Sequence, residues 1–142
     1  MAGYSASPLA RKLGYGDPGL VWCEGMPDPV RTEIEQQVKP VWSSRPDAGV
    51  GAAHLFVTGR KQLTDYLNLA RRELRDDAVV WISWPKKASG IPSEVTEDTV
   101  RELALPMGFV DIKVCAIDET WSGLKLVVRK ELRISSRESH HG

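Results

Sequence analysis

The sequence predicts a small three-layer α/β domain of Rossmann type, with a mostly parallel sheet of five to six strands closed by a C-terminal antiparallel hairpin. Three observations carry that expectation. Short apolar runs alternate with segments of helical periodicity, an order that implies parallel pairing through right-handed crossovers. The run Val79-Val80-Trp81-Ile82-Ser83-Trp84 is almost unbroken, as suits a strand covered on both faces. Two further apolar stretches, Ile112–Ile117 and Leu124–Val128, follow one another closely enough to form a hairpin.

The elements follow in chain order. Ser7 is a good N-cap, Pro8 suits a first helical position and Gly14 a stop, so a short helix is expected between them with Leu9 and Leu13 facing inward. Leu20–Cys23 reads as the first strand. Gly25-Met26-Pro27-Asp28-Pro29 turns the chain, with Asp28 as cap of a helix whose stripe is Val30, Ile34 and Val38 and which Pro40 ends. Val41 and Trp42 form a small second strand, and Ser43–Gly51 is a loop. Ala53–Val57 is the next strand. Arg60–Leu74 is the clearest helix, with Leu63, Tyr66, Leu67, Ala70 and Leu74 on one face. A third crossover helix starts near Thr96: Glu97 and Asp98 complement its positive end, and Val95 and Val100 are placed as a hydrophobic staple. Asp118–Gly123 is read as the loop of the closing hairpin.

Bulk properties limit the function. The 142 residues, 42% of them apolar, suit one domain, expected over residues 1–134, with a flexible polar tail at 135–142. The 19 basic and 19 acidic residues cancel, which argues against nucleic acid and anionic membranes as partners. The first residues, polar and interrupted by Pro8, do not read as a secretory leader, and no apolar run approaches the ~20 residues of a membrane span. A cytoplasmic protein is expected. Cys23 and Cys115 lie in apolar runs and read as buried reduced thiols. No metal-binding spacing is present. His54, inside an apolar strand, reads as structural, and the adjacent His140 and His141 give only a weak metal signal. Ser83 and Ser89 have no base partner discernible from sequence, so no catalytic residue is assigned.

In open parallel sheets, ligands lie beyond the carboxyl ends of the strands. The loops leaving those ends begin at Glu24, Thr58, Pro85 and Asp118. Arg60 and Lys61 fall at the positive end of a helix, and Lys86 and Lys87 leave the neighbouring strand. Four cations near helix starts suit a phosphate or carboxylate, against the simpler reading that they extend into water. Trp84, held extended by Pro85, is either a stacking wall or the end of the core. Asp118 and Glu119 could orient a ligand or pair with Lys86 and Lys87. Trp121 either binds or pins the loop. The ligand-binding expectation is therefore Arg60, Lys61, Trp84, Lys86, Lys87, Asp118, Glu119 and Trp121, with the cofactor left unknown.

Three segments carry a resemblance: Tyr4–Gly14 (YSASPLARKLG), Trp84–Gly90 (WPKKASG) and Val110–Lys125 (VDIKVCAIDETWSGLK). Together they resemble a bacterial family known only as domain of unknown function 3052, over about Gly3 to Arg133. The resemblance implies the fold and the domain extent and brings no mechanism with it. The order of elements also resembles the second half of class I methyltransferase folds.

A standard cofactor site needs close backbone approach after the first strand, usually through G-x-G-x-x-G. Here that turn holds Gly25 and two prolines. Pro29 removes a donor, and Asp28 already holds the helix start. The expectation is a non-enzymatic Rossmann-like domain that binds a small anionic ligand or a protein partner, a second copy of itself included. The alternative is a methyltransferase-like enzyme with an atypical cofactor loop.

Overall fold

The computed structural model describes residues 8–15 and 19–133. The expected Ser7 cap, the polar tail and His140 and His141 lie outside the described residues. A six-stranded sheet has the order β2-β1-β3-β4-β6-β5. Its strands are β1 (Leu20–Glu24), β2 (Val41–Ser43), β3 (Ala52–Phe56), β4 (Val79–Pro85), β5 (Phe109–Ala116) and β6 (Trp121–Val128). β2, β1, β3 and β4 pair in parallel; β6 runs antiparallel between β4 and β5. This is the mostly parallel Rossmann-like sheet with its closing hairpin.

Two helical layers cover the sheet. On one face lie α1 (Leu9–Leu13) and α2 (Asp28–Glu35). Leu9, Leu13, Val30 and Ile34 pack there against Cys23, Phe56, Trp81 and Ile117. On the other lie α3 (Arg60–Glu73) and α4 (Glu97–Ala104). There Leu63, Leu67, Val100 and Ala104 pack against Trp22, Leu55, Ile82, Trp84 and Leu124. The period of two assigns the sides: His54 and Phe56 face the first core, Ala53 and Leu55 the second.

Local chemistry sets the ends. Gly14 closes α1 at φ 60°, in the left-handed region. Thr96 caps α4 in a reciprocal capping box with Thr99, and Val95 and Val100 are both buried beside it in one core. α2 departs from expectation. Asp28 is its first residue rather than its cap, Pro27 stands at the cap position, and no side chain caps the helix.

The hairpin is tighter than expected. Trp121, Ser122 and Gly123 belong to β6, and residues 117–120 make the connection. Asp118 is the cause: its carboxylate accepts the backbone N–H of Thr120 and of Trp121, both at 2.8 Å. The Ile117 N–H then donates to the Trp121 carbonyl at 2.8 Å, extending the ladder. Gly123 suits the strand, since a Cβ there would crowd Ile117 Cδ1 at 2.8 Å and Trp81 at 3.2 Å. Cys115 is only partly buried, because β5 is an edge strand. No helix among the described residues is long and apolar enough to cross a membrane.

Candidate functional site

The chain leaves β1 toward β2 and returns on the other side of β1 to build β3, so the topological switch point lies between β1 and β3. A crevice opens outside the carboxyl ends of such strands. At that end the Glu24–Pro27 turn leaves β1 and the Val57–Gly59 turn leaves β3. Gly25 sits at φ 70°, and a Cβ there would lie 3.0 Å from the Phe56 carbonyl oxygen. The close approach that requires this glycine is to β3. Glu24 accepts the indole N–H of Trp22 at 3.0 Å.

Both helix N-termini flanking the switch point already carry acid. Asp28 lies in the first turn of α2, where Pro29 also removes an N–H. At α3, Glu94 from the loop before α4 accepts the Arg60 backbone N–H at 2.9 Å. The loop is held in place by its Glu94 N–H donating to the Thr58 carbonyl at 2.8 Å. Glu94 explains how two cations are tolerated at the positive end of α3. No local sequence pattern points to it, since it caps a helix that starts 34 residues earlier.

The expected site residues divide. Arg60 pairs with Glu102 at 2.7 Å and Lys61 with Asp65 at 2.8 Å, both on the surface. Their neighbouring carboxylates, by hydrogen bond first and by charge second, raise the pKa of each cation. The four cations do not converge. Lys86 is half-buried, and its ammonium donates to the Asp118 carbonyl at 2.7 Å while its N–H donates to the Thr120 carbonyl at 2.8 Å. The Pro85 and Asp118 loops thus close on each other through Lys86 and main-chain carbonyls. Lys87 and Glu119 are exposed. Trp121 packs edge-on against Phe56, ring centroids 5.2 Å apart, and so pins the hairpin to the body. Trp84 is buried in the second core at 6% exposure.

Trp84, Lys86 and Lys87 do share one pocket, of about 460 Å³. It lies at the end of β4, between the 87–90 turn and the start of α4. Ile91 and Val95 extend its apolar wall, and Ser122 closes it from β6. Arg60, Lys61, Asp118 and Glu119 do not line it. Ser122 carries no signal in sequence; its side chain reaches the pocket because it is paired opposite Trp84 in the β4–β6 ladder.

A second polar cluster lies inside the first core. The Tyr15 hydroxyl and His54 Nδ1 are 2.6 Å apart, and His54 Nε2 and Ser83 Oγ are 2.7 Å apart. Ser83 therefore has the imidazole partner that its sequence context did not reveal. His54 and Ser83 have no exposure, and burial alone takes the imidazole down to about 3, so it is neutral. Burial pushes the Tyr15 phenol well above its ordinary value; Cys23 adds to this and Arg31 opposes it. The cluster is closed to substrate and serves packing. No group of three or more His, Cys, Asp or Glu side chains suited to a metal occurs among the described residues.

A family model described as "Protein of unknown function (DUF3052)" matches residues 19–130. The match takes in the Trp84–Gly90 and Val110–Lys125 segments and leaves Tyr4–Gly14 outside. No curated protein matches. Among solved structures, one from Sulfolobus solfataricus assigned as a type 11 methyltransferase aligns with a TM-score of 0.51 and 17% identity, covering 79% of this chain and 72% of that one. LepI in complex with SAM aligns with a TM-score of 0.53 and 10% identity, over 85% of this chain and 39% of LepI. These likenesses show the fold.

Proposed function

The chain belongs to the DUF3052 family, and from that premise we propose that it is a methyltransferase-like domain that binds S-adenosylmethionine at the β1/β3 switch point through an atypical cofactor loop. The observation that carries this reading is the sheet itself. A parallel run with a switch point between β1 and β3, closed by an antiparallel hairpin, is an architecture shared with structures of the methyltransferase fold. This supports the methyltransferase-like reading over a non-enzymatic domain.

The charges at the crevice help to choose the cofactor. A dinucleotide must place a pyrophosphate at a helix N-terminus. Asp28 with Pro29 fills one such terminus and Glu94 the other. S-adenosylmethionine has no phosphate and carries a positive sulfonium, so neither acid repels it as they would repel a dinucleotide. The single glycine and paired prolines that argue against a Gly-rich phosphate loop are thus compatible with this cofactor.

Calorimetric titration of the full chain with S-adenosylmethionine, S-adenosylhomocysteine and NAD tests the proposal. Saturable binding of the first two, weakened by Thr58→Arg in the mouth of the crevice, is the expected result. An absence of saturable heat with either adenosyl compound at millimolar concentration removes the reading.

A further inference from the structure

The pocket at the end of β4 is lined by no residue of the β1 or β3 turns at the switch point. Its body is apolar: Trp84, Pro85, Ile91 and Val95 supply the walls. Its volume, about 460 Å³, falls in the range of small-ligand sites. Trp84, Lys86 and Lys87 bring donors to it, the hydroxyls of Ser93, Thr96 and Ser122 can donate or accept, and Glu97 brings a carboxylate.

Trp22, Trp42 and Trp81 each give the indole N–H to a carboxylate or carbonyl of the chain. Among the described residues, no such acceptor faces the indole N–H of Trp84. No buried side-chain nitrogen or oxygen lacks a partner, so this N–H must reach solvent. Trp84 is a wall of the pocket and is otherwise enclosed by the core, so the pocket is where it emerges. Ser122 and Lys87 also line the pocket, and neither side chain has a hydrogen bond or ion pair to another described residue. Lys86 adds a second positive charge, though its ammonium is held by Asp118. The one carboxylate in the lining, Glu97, pairs with Arg101 at 2.6 Å, a guanidinium that it shares with Asp98 and Asp111.

A set of unused donors beside an apolar wall calls for an acceptor-rich head on an apolar body. We propose that this pocket binds a small amphipathic anion, its carboxylate or phosphate head at Lys87, Ser122 and the Trp84 N–H and its planar or aliphatic body against Trp84, Ile91 and Val95. Lys87 supplies the charge that selects an anion; Lys86 positions the wall by tying it to the hairpin. The proposal does not rest on the cofactor reading, since the pocket includes no residue of the β1 or β3 turns.

The test uses the full ¹⁵N-labelled chain and three naphthyl probes: 1-naphthoate, 1-naphthyl phosphate and the neutral 1-naphthalenemethanol. Binding is followed by calorimetry and by the indole N–H resonances. The expected result is saturable binding of at least one anion, with the Trp84 indole signal moving and the Trp22 and Trp81 signals still. The ratio of the two anion affinities tells a carboxylate site from a phosphate site. Lys87→Gln, on an exposed side chain, weakens the anion about tenfold and leaves the neutral alcohol unchanged, while Lys87→Arg retains the anion. The proposal is overturned if neither anion saturates, if the alcohol binds as tightly as the anions, if Lys87→Gln has no effect, or if the Trp84 signal stays in place.

Discussion

Tyr15 and His54 meet at 2.6 Å, phenol oxygen to imidazole Nδ1, where the loop after α1 rests on the middle of β3. The same imidazole reaches Ser83 on β4 with its other nitrogen. A neutral ring can satisfy both neighbours, because one nitrogen donates and the other accepts. A protonated ring could still donate to both hydroxyl oxygens, but it would carry a charge where no water reaches it, and burial is what disfavours it.

Stability should therefore fall in mild acid. Burial lowers the His54 pKa from 6.5 to about 3 in the folded chain. Between those values the unfolded chain binds the proton that the folded chain refuses, so stability rises with pH across that window, by up to about 1.4 kcal/mol per unit. Urea midpoints measured from about pH 4 to 7 should show this slope on top of the loss that carboxylates cause. His54→Phe should remove the His54 share of it, at a cost of about 1–3 kcal/mol at neutral pH for each hydroxyl left unpaired. Equal slopes between about pH 5 and 6.5 in the two proteins would show that the ring titrates normally.

Gly25 and Gly90 offer a paired test of what a glycine is for. Both have positive φ, 70° and 77°. A Cβ at Gly25 meets the Phe56 carbonyl oxygen at 3.0 Å, whereas at Gly90 nothing lies within 4 Å. Gly90→Ala should cost only the left-handed strain, about 1–2 kcal/mol. Gly25→Ala should cost more, since the β1 turn must also move off β3. Thermal denaturation of the two variants side by side decides it. Equal losses would mean that the Gly25 turn yields and that its close approach to the Phe56 carbonyl does not require a glycine.

Much of this architecture is legible in the residues. The α3 stripe and the apolar run of β4 announce themselves because periodicity reports burial, and both layers of the core follow. The hairpin is less legible. Trp121-Ser122-Gly123 looks like a loop by composition, yet Gly123 pairs with Ser83 and Cys115 inside β6, where a Cβ would crowd Ile117 and Trp81. At the site, Trp84, Lys86 and Lys87 could be grouped because they are nearly adjacent and leave one strand end. Their relation to Ser122 depends on strand pairing, and the loss of Arg60 to Glu102 depends on a contact 42 residues away. Neighbours in sequence reveal which side chains share a loop; they do not reveal which carboxylate reaches a cation first.

Arg60 separates two kinds of electrostatic contact at one residue. Its side chain pairs with Glu102 at the surface, and its backbone N–H is taken by Glu94. The exposed pair should contribute little and should fade with salt. The Glu94 contact satisfies a helix-terminal donor and complements the helix dipole, so Glu94→Ala should cost about 0.5–2 kcal/mol. Denaturation midpoints for Glu94→Ala and Glu102→Ala at low and high salt provide the comparison. If Glu102→Ala proves the costlier change at high salt, Glu94 is not the cap of α3.

Lys86 and Lys87 are adjacent and alike in charge, yet they should differ in kind. The Lys86 ammonium and N–H bind the carbonyls of Asp118 and Thr120, joining the end of β4 to the hairpin turn. Lys86→Met keeps the aliphatic stem and removes the charged donor, so it should cost about 1.5–3 kcal/mol at most, less where the group is partly wet. The loss should be local first: amides of Ile117, Thr120 and Trp121 should exchange faster with solvent. Lys87→Met changes an exposed group with no such contact and should shift stability by less than about 0.5 kcal/mol. Hydrogen exchange read amide by amide distinguishes them. Uniform loss of protection with Lys86→Met, sparing no part of the sheet, would mean that this clasp belongs to global stability and does not specifically hold the hairpin beside the pocket.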